Sequence, residues 1–167
     1  MPPVNILTDS AIAALIAARK PIPEGLHPLT KRMVTRNRSA RVEFDVDGAT
    51  GEHFVIAIRQ NELNPLNFSV ILGYQMPGLN TIFRLRRYNG KHSHSNPIER
   101  GGLIRDFHIH TATERYQNLG AKEEHFAEID NRYHNLEGAI KCLLDDCGFH
   151  RAEPPLPLFD PHDTGVE

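Results

Sequence analysis

The spacing of apolar positions changes period several times along this chain, and each change marks an element. Ile12, Leu15 and Ile16 recur at helical spacing behind Thr8 or Asp9, either of which can cap, so a helix is expected over residues 9–18. Pro21 and Pro23 stop it, and residues 21–28 read as a connection. The period then falls to two. Val42, Phe44 and Val46 alternate with Arg41, Glu43, Asp45 and Asp47, the pattern of a strand wetted on one face. Residues 47–51 have turn composition. Further strands are expected over 54–59, 68–74 and 81–88, broken by 61–67 with Pro65 and by Met76-Pro77-Gly78, with a fifth over 103–110. Residues 113–124 suit a short helix or loop ending near Gly120. Leu136, Ile140, Leu143, Leu144 and Cys147 share one helical face after Asn135, a good cap, so a second helix is expected over 136–147, closed by Gly148.

Short turns between successive strands imply an antiparallel meander. The expected fold is therefore α+β: about five strands over residues 40–110, with the N-terminal and C-terminal helices packed on one face. Residues 1–149 are expected to form a single domain, and the proline-rich, acidic 150–167 a flexible tail.

A chain of 167 residues that is 40% hydrophobic and 24% charged has an ordinary globular composition, which excludes collagen-like, coiled-coil and wholly disordered classes. No apolar run approaches the roughly 20 residues of a membrane helix, and the first residues lack the pattern of a signal peptide, so no membrane association and a cytoplasmic location are expected. Cys142 and Cys147 would diverge on one helix and read as buried free thiols. The formal charge of −2 conceals an asymmetry: residues 1–120 stand at +5 and residues 121–167 at −7. Lys31, Arg32, Arg36, Arg38 and Arg41 form one basic group, and Arg84, Arg86, Arg87 and Lys91 a second. Such groups attract phosphate. They are equally consistent with a solvated surface balanced by the acidic C-terminal part.

The chemistry-bearing residues are two His-x-His pairs, His92/His94 in a loop and His108/His110 on the fifth strand. Strand alternation sends Phe107 and Ile109 inward and sets Asp106, His108 and His110 on the other face. The same rule on the fourth strand sends Phe83 and Leu85 inward and Arg84 and Arg86 outward. If these strands pair across the 89–102 connection, an Arg/His face results, with His92, His94 and Asn96 at its rim. Its first reading is metal-independent phosphodiester chemistry, with His108 and His110 as acid and base and Arg84, Arg86, His92, His94 and Asn96 binding RNA or another phosphate-bearing ligand. No cofactor is expected on that reading. The second is a divalent metal such as zinc held by His108 and His110, with Asp106 or a third histidine completing the set. The third is a set of surface histidines with no further role. The other six histidines, among them His125, are scattered and read as surface. Arg59-Gln60-Asn61, Asn64 and Asn67 read as side chains that satisfy loop backbone. No GxSxG, GxxxxGK[ST] or GxGxxG motif is present, which counts against serine hydrolases, nucleotide hydrolases and dinucleotide oxidoreductases.

Ile58-Arg59-Gln60-Asn61, Asn67-Phe68-Ser69, the run Arg84 to Gly90 with His92, His94 and Asn96, and Phe107-His108-Ile109-His110-Thr111-Ala112-Thr113-Glu114 together resemble a family of uncharacterised small bacterial and phage proteins. The likeness runs from about residue 40 to residue 149. It implies a single α+β domain in mobile-element or phage-defence settings, including toxin–antitoxin systems, and no established activity. An alternative function, motivated by the −7 charge of residues 121–167, is a non-catalytic, antitoxin-like or anti-defence module that binds a protein partner, or a second copy of itself, through the acidic C-terminal part and the proline-rich tail.

Overall fold

A computed structural model describes residues 5–151. In chain order the elements are α1 (Asp9–Ala17), β1 (Lys20–Pro21), β2 (Val34–Arg36), β3 (Ser39–Asp47), β4 (His53–Asn61), β5 (Phe68–Gln75), β6 (Ile82–Asn89), β7 (His108–Thr111), α2 (Glu114–Asn118), β8 (Ala127–Ile129), α3 (Leu136–Asp146) and β9 (Phe149–His150). Strands β2 to β8 form one antiparallel sheet in sequence order, and β1 pairs with β9 in parallel as a small second sheet. The fold is α+β, as expected.

The main sheet has seven strands rather than about five. The two additions are the three-residue edge strands β2 and β8, each too short to show a period. The expected fifth strand also shrinks: within 103–110 only His108 onward is β7, and Ile104 makes an isolated bridge to His94. The proline-rich tail lies, beyond Arg151, outside the described residues.

Alternation decides which face of the sheet is covered. Val42, Phe44 and Val46 on β3 sit opposite Ile58, Ile56 and Phe54 on β4, and all six are buried. Ile12 and Ile16 of α1 and Leu136, Ile140, Leu143 and Leu144 of α3 enter the same core cluster. Each such side chain contributes about 1.5–3 kcal/mol by leaving water. Thr8 caps α1 by accepting from Ala11 N, and Asn135 caps α3 by accepting from Gly138 N. Gly148 ends α3 with φ of 74°, and a Cβ there would lie 2.5 Å from the Ala18 carbonyl oxygen, so the two helix C-termini meet in a space only glycine leaves open.

Lys20 binds that junction together. It has no exposed surface, and its Nζ donates to the carbonyls of Leu15 (2.9 Å), Ile16 (2.9 Å), Ala18 (2.7 Å) and Cys147 (2.8 Å). Burial pulls its pKa down to about 8, still above neutrality, so an ammonium ion faces the negative ends of both helices at pH 7.

At the turn end of the β3/β4 hairpin, on its exposed face, His53 lies 3.0 Å from Asp47 and 3.2 Å from Asp45. Its hydrogen bond to Asp47 raises its pKa. A folded-state value above the unfolded one means that this contact stabilises the protein below the unfolded pKa and fades as pH rises through the folded pKa. An NMR titration should place His53 above the ordinary histidine value. Asp47→Asn should return it toward that value, and an unchanged titration would remove the contact as its cause.

No described helix is long and apolar enough to cross a membrane.

Candidate functional site

The uncovered face of the sheet carries the candidate site. Across β6 and β7, Asn89 is directly opposite His108 and Arg87 directly opposite His110, so these four side chains form one polar patch. Tyr133 Oη, from the covered side, bonds to the carbonyls of Asn89 (2.7 Å) and His108 (3.0 Å) and fixes that register.

Arg84 and Arg86 do not share the face as strict alternation requires. The β5/β6 register shifts between Leu72 and Gly73, so that Arg84 pairs with Gly73 while Arg86 pairs with Leu72. A one-residue bulge sends every later side chain to the other side. Arg86 therefore points to α3, where Nη1 donates to Tyr88 Oη (3.2 Å) and lies 3.6 Å from Asp146. Arg87 takes its place in the patch, with Arg84 nearby at 4.0 Å from Glu124.

The loop after β6 folds back over these strands. It can do so because Gly90 has no side chain: a Cβ there would lie 1.8 Å from the Leu66 carbonyl oxygen. Gly90 N donates to Phe68 O and Lys91 N to Leu66 O, after which His92 sits with its ring centroid 4.7 Å from that of His108. Asn96 anchors the far end of the loop, donating from Nδ2 to Ala127 O (2.7 Å) and accepting Ala127 N at Oδ1 (2.9 Å). The same Oδ1 lies 3.1 Å from His94 Nε2, which fixes that ring. Asn96 thus acts on the site through His94. His94 lies 4.6 Å, ring to ring, from His110 and 5.0 Å from His125.

The tautomers follow from the backbone. His108 Nδ1 donates to Asp106 O (2.7 Å) and His110 Nδ1 to Glu124 O (2.8 Å). Each ring must then carry its lone pair on Nε2. Both Nε2 atoms are buried and have no hydrogen-bond partner. Of the eight buried side-chain polar atoms left unpartnered among the described residues, five belong to this patch: those two, Arg87 Nε, Asn89 Oδ1 and Glu124 Oε2. Unpaired buried polar atoms cost about 1–3 kcal/mol each, and they are concentrated in this patch.

Burial opposes a positive charge on His92, His94, His108 and His110. Burial pushes His110 down to about 3, helped by His108, His94 and Arg87. His92, exposed on its outer side, is pushed to about 4 by the buried part of its ring and then by His108, His94 and Arg87. Burial lowers His108 and His94 as well.

Ligand atoms of His92, His108 and His110 all lie within 4.8 Å of one another, a set able to hold a metal ion. Asp106 is not in it: that residue gives its backbone carbonyl to His108, and its side chain is half exposed, 4.0 Å from Lys91.

Glu124 is almost fully buried and accepts from Arg87 Nη2 at 2.6 Å, which holds the guanidinium beside the histidines. Two adjoining cavities of about 420 and 430 Å³ open here and share Arg87 and His92. The first runs outward along β3, β4 and β5 past Arg41, Arg59 and Asn67, and the second passes under His94, His110 and His125.

Arg59, Asn89, Glu124 and His125 belong to this surface and were not among the site candidates read from the sequence, and Arg41 and Arg87 were read only as members of the two basic groups. His125 joins because its ring stacks on Tyr116 at 5.1 Å and meets His94, a long-range packing that leaves no local motif. The neighbouring asparagines do serve the loop, as expected: Asn61 Oδ1 accepts from Leu63 N and Asn64 N, and Asn64 Oδ1 from Leu66 N.

Compared with known proteins, residues 7–147 match the model of a family described as "Family of unknown function (DUF6978)". Neither the curated proteins nor the solved structures contain a match.

Proposed function

The chain belongs to this family of unknown function, DUF6978, so its chemistry has to be read from the site, and we propose that the site is a three-histidine transition-metal centre. His92, His108 and His110 are the ligands and at least one coordination position is left open. The observation that carries this reading is the pair of buried, partnerless Nε2 atoms on His108 and His110, each fixed by a main-chain carbonyl at Nδ1. A metal-ligating histidine is oriented in the same way, by donating its other ring N–H to a carbonyl or carboxylate. Neutral imidazoles also suit a zinc-type ion, since no proton must leave for it to bind.

Acid and base catalysis by His108 and His110 alone is the weaker reading. One of the two would have to be protonated at working pH, and burial opposes charge on both. A metal with an open position removes that difficulty, because it activates water as a Lewis acid without a protonated imidazole. A hydrolytic metal centre beside arginines also suits the mobile-element and defence setting that the motif resemblance implies.

The test is a titration of chelator-treated full-length protein with Zn²⁺ and Co²⁺, read by calorimetry and by the cobalt absorption bands. One ion per chain, with the intense visible bands of a four- or five-coordinate cobalt site, is expected. Binding no tighter than that of a protein without clustered histidines would end the proposal.

A further inference from the structure

Arg41 on β3 and Arg59 on β4 are directly opposite each other on the open face. Like charges in that position repel, by a few tenths of a kcal/mol to about 1 kcal/mol. Neither forms an ion pair among the described residues. Arg59 is half-buried, and burial and Arg41 together lower its pKa. Its Nη2 donates to Asn67 Oδ1 (3.1 Å), so the side chain is held in place by an amide. Arg87, two strands away, also feels the positive charge of Arg59 and Arg84. Four guanidinium groups thus line one cavity of about 420 Å³; Glu43 is in its wall, Glu124 pairs with Arg87 at 2.6 Å, and Glu123 and Glu124 each lie 4.0 Å from Arg84.

Arg41 and Arg59 are the two left without a matching acid; cations of that kind in a concave site are compensated by an anion, and planar guanidinium groups fit the oxygens of phosphate two at a time. The cavity is of small-ligand size. Ala57 and Ile71 give it an apolar floor and Ser69 a hydroxyl, so it offers room for an organic group beside the phosphate. We infer that Arg41, Arg59 and Arg87 form a binding site for the phosphate group of a phosphate ester, with Arg84 at its edge. His92 lines both cavities, so the bound phosphate lies beside the three-histidine centre. This deepens the metal reading above and rests on it for the purpose of the bound phosphate, but the arginine site stands on its own geometry. The phosphate could belong to a free nucleotide or to an RNA end.

The experiment uses full-length protein with chelator present, titrated at low ionic strength with inorganic phosphate, with AMP and with a fluorescent 12-nucleotide single-stranded RNA. Saturable binding is expected, weakened about tenfold or more by Arg59→Gln and by Arg41→Gln. Tighter binding of AMP than of RNA assigns a nucleotide, and the reverse assigns a nucleic acid. Absence of saturable binding to all three probes, or wild-type affinity in both variants, overturns the site. Zinc titration of the same samples separates the two proposals. Both arginine variants should bind zinc as wild type does, and phosphate binding without zinc binding would sink the metal centre alone.

Discussion

His110→Ala is expected to lose metal binding altogether, a weakening of more than about 100-fold, because even the supporting contacts of a metal ligand are worth 10–100-fold. The ring sits in the floor of the site, held by Glu124 O, so its removal takes away one of the two preset lone pairs. A truncation at a buried position can also cost stability, so His92→Ala supplies the second arm. His92 is exposed at the rim and its loss leaves the core intact, yet it removes a third ligand. His94→Ala is the comparison. That ring packs among the others but is not one of the three whose ligand atoms converge within 4.8 Å, and its Nε2 bonds to Asn96 Oδ1, which only a ring N–H can do, so zinc affinity should fall far less than in the other two. Equal, small losses in all three variants would mean that the cluster holds no ion. The thermal shift produced at one fixed zinc concentration should follow the same order, since a ligand that binds only the folded state stabilises it by RT ln(1 + L/Kd), where L is the free ligand concentration.

Lys20→Met is expected to destabilise the fold by about 3 kcal/mol, which corresponds to a fall in Tm of roughly 6–12 °C for a domain of this size. Methionine keeps the apolar stem but leaves the carbonyls of Leu15, Ile16, Ala18 and Cys147 without their donor at the joined ends of α1 and α3. Contacts of Nζ with the Phe54 ring, 4.5 Å from its centroid, are lost as well. Lys31→Met serves as the control: Lys31 donates to the single carbonyl of Glu43 from an exposed position, and its replacement should be nearly neutral. A buried charge can be dispensable when an apolar group fills its space. Unchanged stability in Lys20→Met would place this lysine in that class and remove its role as a helix clamp.

Much of the fold was legible in the sequence wherever an element buries one face and is long enough to show it. The alternation of Val42, Phe44 and Val46 and the apolar stripe of 136–147 became β3 and α3 within a few residues of the expected ends. β2 escaped notice because its hairpin turn is Asn37-Arg38, both at positive φ (52° and 60°), where a two-residue turn usually displays glycine. β8 and the β1/β9 pair are too short to carry a period.

The site was half legible. His108 and His110 share a face because alternation on β7 is unbroken. Arg86 left that face because a bulge consumes one residue at a point where Arg84-Leu85-Arg86-Arg87 gives no local sign of it. Arg41 and Arg59 become neighbours only through the register of β3 and β4, 18 positions apart in the chain. Registers and bulges are tertiary facts, and a site assembled across five strands inherits their invisibility.

The central claim is that three imidazoles converge on one ion, and a crystal of the protein grown with zinc tests it most directly. Anomalous scattering at the zinc edge should give one strong peak within about 2.1 Å of a ring nitrogen on each of His92, His108 and His110. A fully occupied peak elsewhere, or none at this cluster in crystals of zinc-saturated protein, would contradict the account.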